Sequence, residues 1–206
     1  MEFLKLYYDE ALKVFYEAGG SEEELYWLVS SMLVRYPAYR DELKVRRKLT
    51  DWIVQEVKGK ILDVGCGLGI LTFRIALKEE VEKVMGIDKS QELVDFCNRL
   101  RDRITRKAEF LYGDFLEVKL GEEFDFIVFL YTLHDYEPKP FLEKALEILS
   151  QDGKIIIGDF DIDGLREKIR TFAQKNELKI AKDITVGKTK THGEFYEAFL
   201  MVIEGG

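Results

Sequence analysis

Two rhythms of apolar residues divide the chain. Up to about residue 57 they recur every three or four positions. Leu4, Tyr7, Ala11, Val14, Phe15 and Ala18 form one such stripe, Leu25, Leu28, Val29, Met32 and Leu33 a second, and Val45, Leu49, Trp52 and Ile53 a third. This spacing predicts three amphipathic helices. Gly19-Gly20 stops the first, and Ser21 with Glu24 forms a capping box for the second. Tyr36-Pro37 ends the second, because the residue before proline is pushed out of the helical region. The third is predicted from about Arg40 to Val57.

From Lys60 onward the pattern changes to short apolar runs separated by helical stretches. Strands are predicted at KILDVG, VEKVMGID, AEFLYGD, FDFIVFLYTL and GKIIIGDF. Helices are predicted near Leu71–Lys78 and over SQELVDFCNRLRDR, PKPFLEKALEILS and DGLREKIRTFAQKNEL. The tail reads as two more strands around a turn at Thr191 to Glu194. Strands that are apolar throughout, alternating with helices, predict an α/β, doubly wound, mostly parallel sheet of seven strands. Ligands of such a sheet bind at the carboxyl ends of its strands. The organisation expected is a helical cap over residues 1–57 and an α/β domain over 58–206.

Composition narrows the class. A chain of 206 residues with 47% hydrophobic content can close one domain core, burying roughly 70% of its unfolded surface. A net charge of −8 argues against non-specific attraction to nucleic acid. Two basic runs stand against that background: Arg99, Arg101, Arg103, Arg106 and Lys107, and KVRRK at 44–48. Cations at a helix C-terminus favour its dipole, and neither run interleaves the aromatics of a base-stacking platform. Cys66 and Cys97 form no CxxC pair and no metal-ligand spacing, which predicts a reduced, cytoplasmic protein. The N-terminus mixes acids into its apolar positions, unlike a signal peptide, and no apolar run approaches the roughly 20 residues that span a bilayer. Scarce Asn and Gln beside abundant Glu and Lys resemble proteins from hot environments.

The candidate chemistry starts at ILDVGCGLGI, residues 61 to 70. A phosphate-binding loop needs a lysine directly after its glycines, and none follows until Lys78. A dinucleotide fingerprint needs G-x-G-x-x-G, and its third glycine is replaced by Ile70. The string LDVGCGLG resembles motif I of the class I S-adenosylmethionine (SAM)-dependent methyltransferases, and the resemblance extends over roughly residues 58 to 205.

That resemblance implies a cofactor set of Asp63, Gly65, Cys66, Gly67, Gly69, Asp88, Lys89, Asp114, Phe115 and Leu130, with S-adenosylhomocysteine as the product. Asp88, nineteen residues beyond Gly69, is placed for the ribose hydroxyls, and Asp114 in YGDF for the adenine amino group, with Phe115 at the ring. Asp63 would add negative potential near the ammonium and sulfonium. An antiparallel closing strand belongs to the same family.

After the fourth strand, LHDYE resembles a segment of small-molecule O-methyltransferases in which the histidine takes a hydroxyl proton. The likeness implies His134 as general base and Asp135 as its orienter. Tyr36, Tyr39, Tyr131 and His192 are candidates for the acceptor pocket. No N-P-P-Y-like string or Pro-Cys pair follows that strand, and a metal-independent reaction is expected. The reading is methyl transfer to oxygen or nitrogen of a small molecule, with an unknown oligomeric state and no membrane. RNA or protein acceptors are the alternative, and they require the Arg99–Lys107 patch to reach the active-site edge. A non-catalytic SAM-binding subunit or sensor is a further alternative, and a dinucleotide oxidoreductase comes last.

Overall fold

The computed structural model describes residues 39–191 and 194–205. Helix α1 (Tyr39–Glu56) leads into β1 (Gly59–Val64), α2 (Ile70–Ala76), β2 (Val81–Asp88), α3 (Gln91–Ile104) and β3 (Ala108–Tyr112). Then come β4 (Phe124–Leu130), a 3-10 turn (Leu133–Asp135), α4 (Pro138–Glu147), β5 (Leu149–Phe160), α5 (Leu165–Lys175), β6 (Lys179–Thr191) and β7 (Glu194–Glu204). The seven strands form one sheet in the order β3-β2-β1-β4-β5-β7-β6. Strands β1 to β5 pair in parallel, whereas β7 runs antiparallel to both β5 and β6. Strand β6 therefore points the same way as the first five and ends at their carboxyl edge. No helix among the described residues is long and apolar enough to cross a membrane.

Each face of the sheet carries its own core. On one face α1, α2 and α3 cover the strands through Leu49, Ile53, Phe73, Ile75, Val94 and Cys97. On the other, α4 and α5 cover them through Phe141, Leu142, Ala145, Leu165, Ile169 and Phe172. Central strands buried on both sides must be apolar at consecutive positions, which explains IVF in β4 and III in β5. Helix α1 belongs to this core rather than lying over it. Val45, Leu49, Ile53 and Val57 are buried. Val45 seats on Gly187 and Leu49 on Gly158, where an added Cβ would come within 3.0 and 3.4 Å.

Three of the boundaries that differ from the sequence pattern have a clear local reason. Helix α4 stops at Glu147 rather than Ser150, because the Phe124 N–H donates to the Ile148 carbonyl and draws the following residues into β5. Strand β3 ends at Tyr112, where the Gly113 N–H donates to the Asp88 carbonyl. Strand β4 ends at Leu130, because Tyr131 turns left-handed at φ 56°.

The edge strand β6 carries Lys179, Lys182 and Lys188, charges that discourage edge-to-edge pairing. Arg166 and Arg170 of α5 both grip Asp183 of β6, at 2.7 and 2.6 Å, and tie that edge to the layer beneath it.

Candidate active site

The glycine loop joins β1 to α2 at the carboxyl edge, and its glycines have separate tasks. The Gly65 and Cys66 N–H groups both donate to the Ile87 carbonyl, which folds the loop onto the end of β2. Gly65 has φ 75°, and an added Cβ would lie 2.6 Å from the Thr132 hydroxyl. That hydroxyl in turn donates to the Val64 carbonyl at 2.9 Å. Gly65 must therefore be bare so that β1 and the β4 loop can meet. The Gly67 N–H donates to Asp88 Oδ2 at 2.8 Å. Gly69 has φ 72° and caps α2; its missing Cβ makes room for Cys97 Sγ and the Phe110 ring. Its bareness serves internal packing.

The three acids after the first three strands also separate. Asp88 accepts the Gly67 N–H on one oxygen and the Ser90 N–H on the other. Asp114 accepts the Leu116 N–H on Oδ1 and pairs through Oδ2 with Lys89 Nζ at 3.0 Å. The Leu116 N–H, with Lys89 beside it, holds the Asp114 carboxyl below the usual range.

Asp63 is 2% exposed and accepts the Thr72 hydroxyl at 2.6 Å, so it fastens the start of α2. Burial raises its pKa to about 7, with the Asp88 charge adding to the rise. The resemblance casts Asp63 as a source of negative potential toward a ligand; the fold instead buries it, facing Thr72. A carboxyl with a folded pKa above its unfolded value costs stability once ionised. That cost grows as pH rises from 3.8 toward about 7. Asp63→Asn is therefore expected to gain on the parent protein across this window, by at most about 1.4 kcal/mol per pH unit. Urea melts at several pH values should show the gap widening; a pH-independent gap contradicts the assignment.

Between these groups lies a cleft of about 110 Å³, walled by Val64, Gly65, Asp88, Lys89, Thr132 and Tyr136. Phe115 lines its floor from the core, packed on Phe129 and Phe141. Leu130 points away from the cleft, toward Gly158. Cys66 and Cys97 are both buried, and burial pushes the Cys97 thiol up to about 12 and the Cys66 thiol up as well. Neither is a nucleophile at neutral pH.

Past β4, the left-handed turn at Tyr131 leads into the Leu133–Asp135 turn, so His134 lies in the chain between Thr132 and Tyr136, two of the cleft's walls. His134 Nδ1 lies 2.7 Å from Asp159 Oδ1. Asp159 is fully buried within β5, and its Oδ2 also takes the N–H groups of Thr132, Leu133 and His134. The acid that holds the His134 ring is thus Asp159, rather than the Asp135 implied by the resemblance. Asp135 is 70% exposed, with its carboxylate 3.7 Å from Nε2, because a 3-10 turn points neighbouring side chains in different directions. Burial pushes the His134 pKa down, but the Asp159 hydrogen bond and charge, helped by Asp135, outweigh it and leave a net rise.

Arg46 of α1 lies 3.9 Å over the Tyr131 ring, which packs on Phe160. Tyr36 and His192 lie outside the described residues, although the ends of β6 and β7 that flank His192 reach this edge. Tyr39 opens α1. The Arg99–Lys107 run sits at the opposite edge. Helix α3 ends there, and Lys107 Nζ caps the Lys78 carbonyl ahead of β2 at 2.8 Å.

Asp159, Thr132 and Arg46 were not singled out from the sequence as site residues. A signal existed for Asp159: an acid inside an apolar strand demands a buried partner.

Residues 55–199 match a family model described as a methyltransferase domain. The chain belongs to that family. This methyltransferase is 25% identical over 162 residues to an uncharacterised methyltransferase of Staphylococcus carnosus, covering 77% of this chain and 68% of that one. Among solved structures, it resembles the N-methyltransferase NodS of Bradyrhizobium japonicum in complex with S-adenosylhomocysteine. That match has a TM-score of 0.64 at 16% identity, over 84% of this chain and 90% of that one. Magnesium protoporphyrin IX methyltransferase of Synechocystis with bound SAM gives a TM-score of 0.64 at 19% identity, over 81% and 83%. The methyltransferase is of the class I, SAM-dependent kind, and SAM is its cofactor. Its carboxyl edge suits that group chemically: acids at the tips of β2 and β3, a bare backbone at Gly67, and no lysine-bearing phosphate loop.

Proposed function

We propose that the methyltransferase holds SAM across the tips of β1, β2 and β3 and methylates an oxygen or nitrogen of a small acceptor beside His134. The observation that carries this reading is the 2.7 Å contact between His134 Nδ1 and the buried Asp159. When bound, the cofactor supplies an electrophilic methyl group on a sulfonium.

The chain's own part begins with positioning. Asp88 spends one lone pair of each oxygen on the loop and keeps the others for two ribose hydroxyls. Asp114 offers Oδ2 to the adenine amino group, and Gly67, where an added Cβ would meet nothing within 4 Å, leaves room for the methionine end. A proton must leave the acceptor when the attacking atom is a hydroxyl oxygen. With Nδ1–H donated to Asp159, the Nε2 lone pair of His134 is the one that takes it. Asp159 steadies the imidazolium that results.

Support for a small acceptor over RNA comes from the basic patch. An RNA acceptor needs Arg99–Lys107 at the active-site edge, and Lys107 is instead engaged at the other end of α3.

Calorimetric titration with SAM, S-adenosylhomocysteine and NAD tests the cofactor site; binding of the first two and not the third is expected. Tritiated-methyl SAM incubated with fractionated cell extract tests the acceptor. Label should collect in the small-molecule filtrate, and label in RNA or protein overturns that part of the reading. His134→Ala should bind SAM like the parent yet turn over about 10²–10⁴-fold more slowly. Binding with no turnover by the parent protein on any fraction would make it a sensor or subunit.

A further inference from the structure

The cleft beside Asp88 is bridged from within the chain. Lys89 Nζ lies 3.0 Å from Asp114 Oδ2 on the β3 side and 4.8 Å from the centre of the Tyr136 ring on the β4 side. One side chain thus spans the mouth of the cleft. The space left beneath it is about 110 Å³, well below the roughly 300 Å³ at which small-molecule sites begin. Lys89 and Tyr136, the two groups in contact on that side, are both walls of this space.

We infer that Lys89 is an internal competitor for the nucleoside: its ammonium occupies the Asp114 carboxylate and the Tyr136 face until the adenine displaces it. The inference rests on the cofactor site proposed above. The exchange needs only one side chain to move. Asp114 Oδ1 stays fixed by the Leu116 N–H, so the carboxylate keeps its orientation while Oδ2 trades an ammonium for an amino group. The Tyr136 ring is 41% exposed and offers the incoming base an aromatic face once the ammonium leaves.

The latch is weak by construction. Lys89 is 49% exposed and Asp114 29%, so solvent and salt both screen the pair. Lys89 is therefore a setting on affinity rather than a barrier to binding. It lowers cofactor affinity in exchange for a covered site when none is bound.

The test is calorimetric titration of S-adenosylhomocysteine into the parent protein and Lys89→Met, each at low and at high sodium chloride. Methionine keeps the aliphatic stem and removes the charge. The expected result is binding about two- to fivefold tighter for Lys89→Met, the range an exposed ion pair allows. The parent should also gain affinity with salt while the variant stays flat. Equal or weaker binding by Lys89→Met, or no salt response in the parent, overturns the competitor. Absence of binding to both proteins at either salt overturns the cofactor site itself, and the inference with it.

Discussion

Asp159→Asn is expected to leave a folded methyltransferase that binds SAM but turns over about 10³–10⁴-fold more slowly on a hydroxyl acceptor, because the base is held in the wrong tautomer. Asp159 accepts on both oxygens: three loop N–H groups on Oδ2, and the Phe160 N–H with His134 Nδ1 on Oδ1. Asparagine has one acceptor oxygen. If that oxygen keeps the loop, the amide NH2 faces Nδ1, and the imidazole must carry its proton on Nε2 instead. The lone pair that serves as base is then gone.

The pH profile separates this effect from simple loss of structure. In the parent, the net rise at His134 puts the acid limb of the rate profile above the ordinary histidine value of 6.5. The sign in stability is the opposite one. A raised histidine pKa stabilises the fold below its unfolded value, and that contribution fades as pH climbs through the folded value. In Asp159→Asn the carboxylate charge no longer supports the imidazolium, so the limb should move to lower pH. A limb that stays in place, with turnover unchanged, removes His134 as the base.

Asp88→Ala is the second substitution with a large effect. Its two oxygens take the Gly67 and Ser90 N–H groups, so alanine leaves both donors without their acceptor and slackens the loop against α3. It also removes the proposed ribose contacts, each worth roughly 1.5–3 kcal/mol as a charge-assisted bond. Calorimetry should register a loss of S-adenosylhomocysteine affinity of about tenfold or more. Unchanged affinity would falsify the ribose assignment. The comparison with Asp88→Asn, which keeps an acceptor, separates loop support from charge.

The residues that announced themselves in the sequence did so through local pattern. The run KILDVG followed by bare glycines marks a strand-to-helix loop, because both signals lie within a few positions of one another. Alternation and handedness predicted a doubly wound, mostly parallel sheet of seven strands, and the family resemblance its antiparallel closing strand, which is β7. What the pattern concealed depends on distant partners. The resemblance of LHDYE implied Asp135 as the histidine's orienter, whereas Asp159 reaches the ring from a neighbouring strand, 25 residues along the chain. Gly69 read as a ligand-facing glycine, although its neighbours are Cys97 and Phe110 from α3 and β3. The cationic stretch ending at Lys107 was plain, but its edge of the sheet is decided only by the direction in which α3 runs.

The tie between Asp159 and the Leu133–Asp135 turn has a consequence for motion. A surface turn ordinarily opens on its own, at little cost, independently of the sheet it decorates. Here the turn's amides are anchored to a buried carboxylate near the carboxyl end of β5, the strand that pairs with both β4 and β7. The turn opens only if its amides give up that buried acceptor. The base therefore shares the slow, cooperative opening of the core, while the Lys89 bridge a short distance away relaxes as fast as any exposed side chain. The proposed base sits on the rigid part of the edge, and the proposed entry of the cofactor on the pliable one.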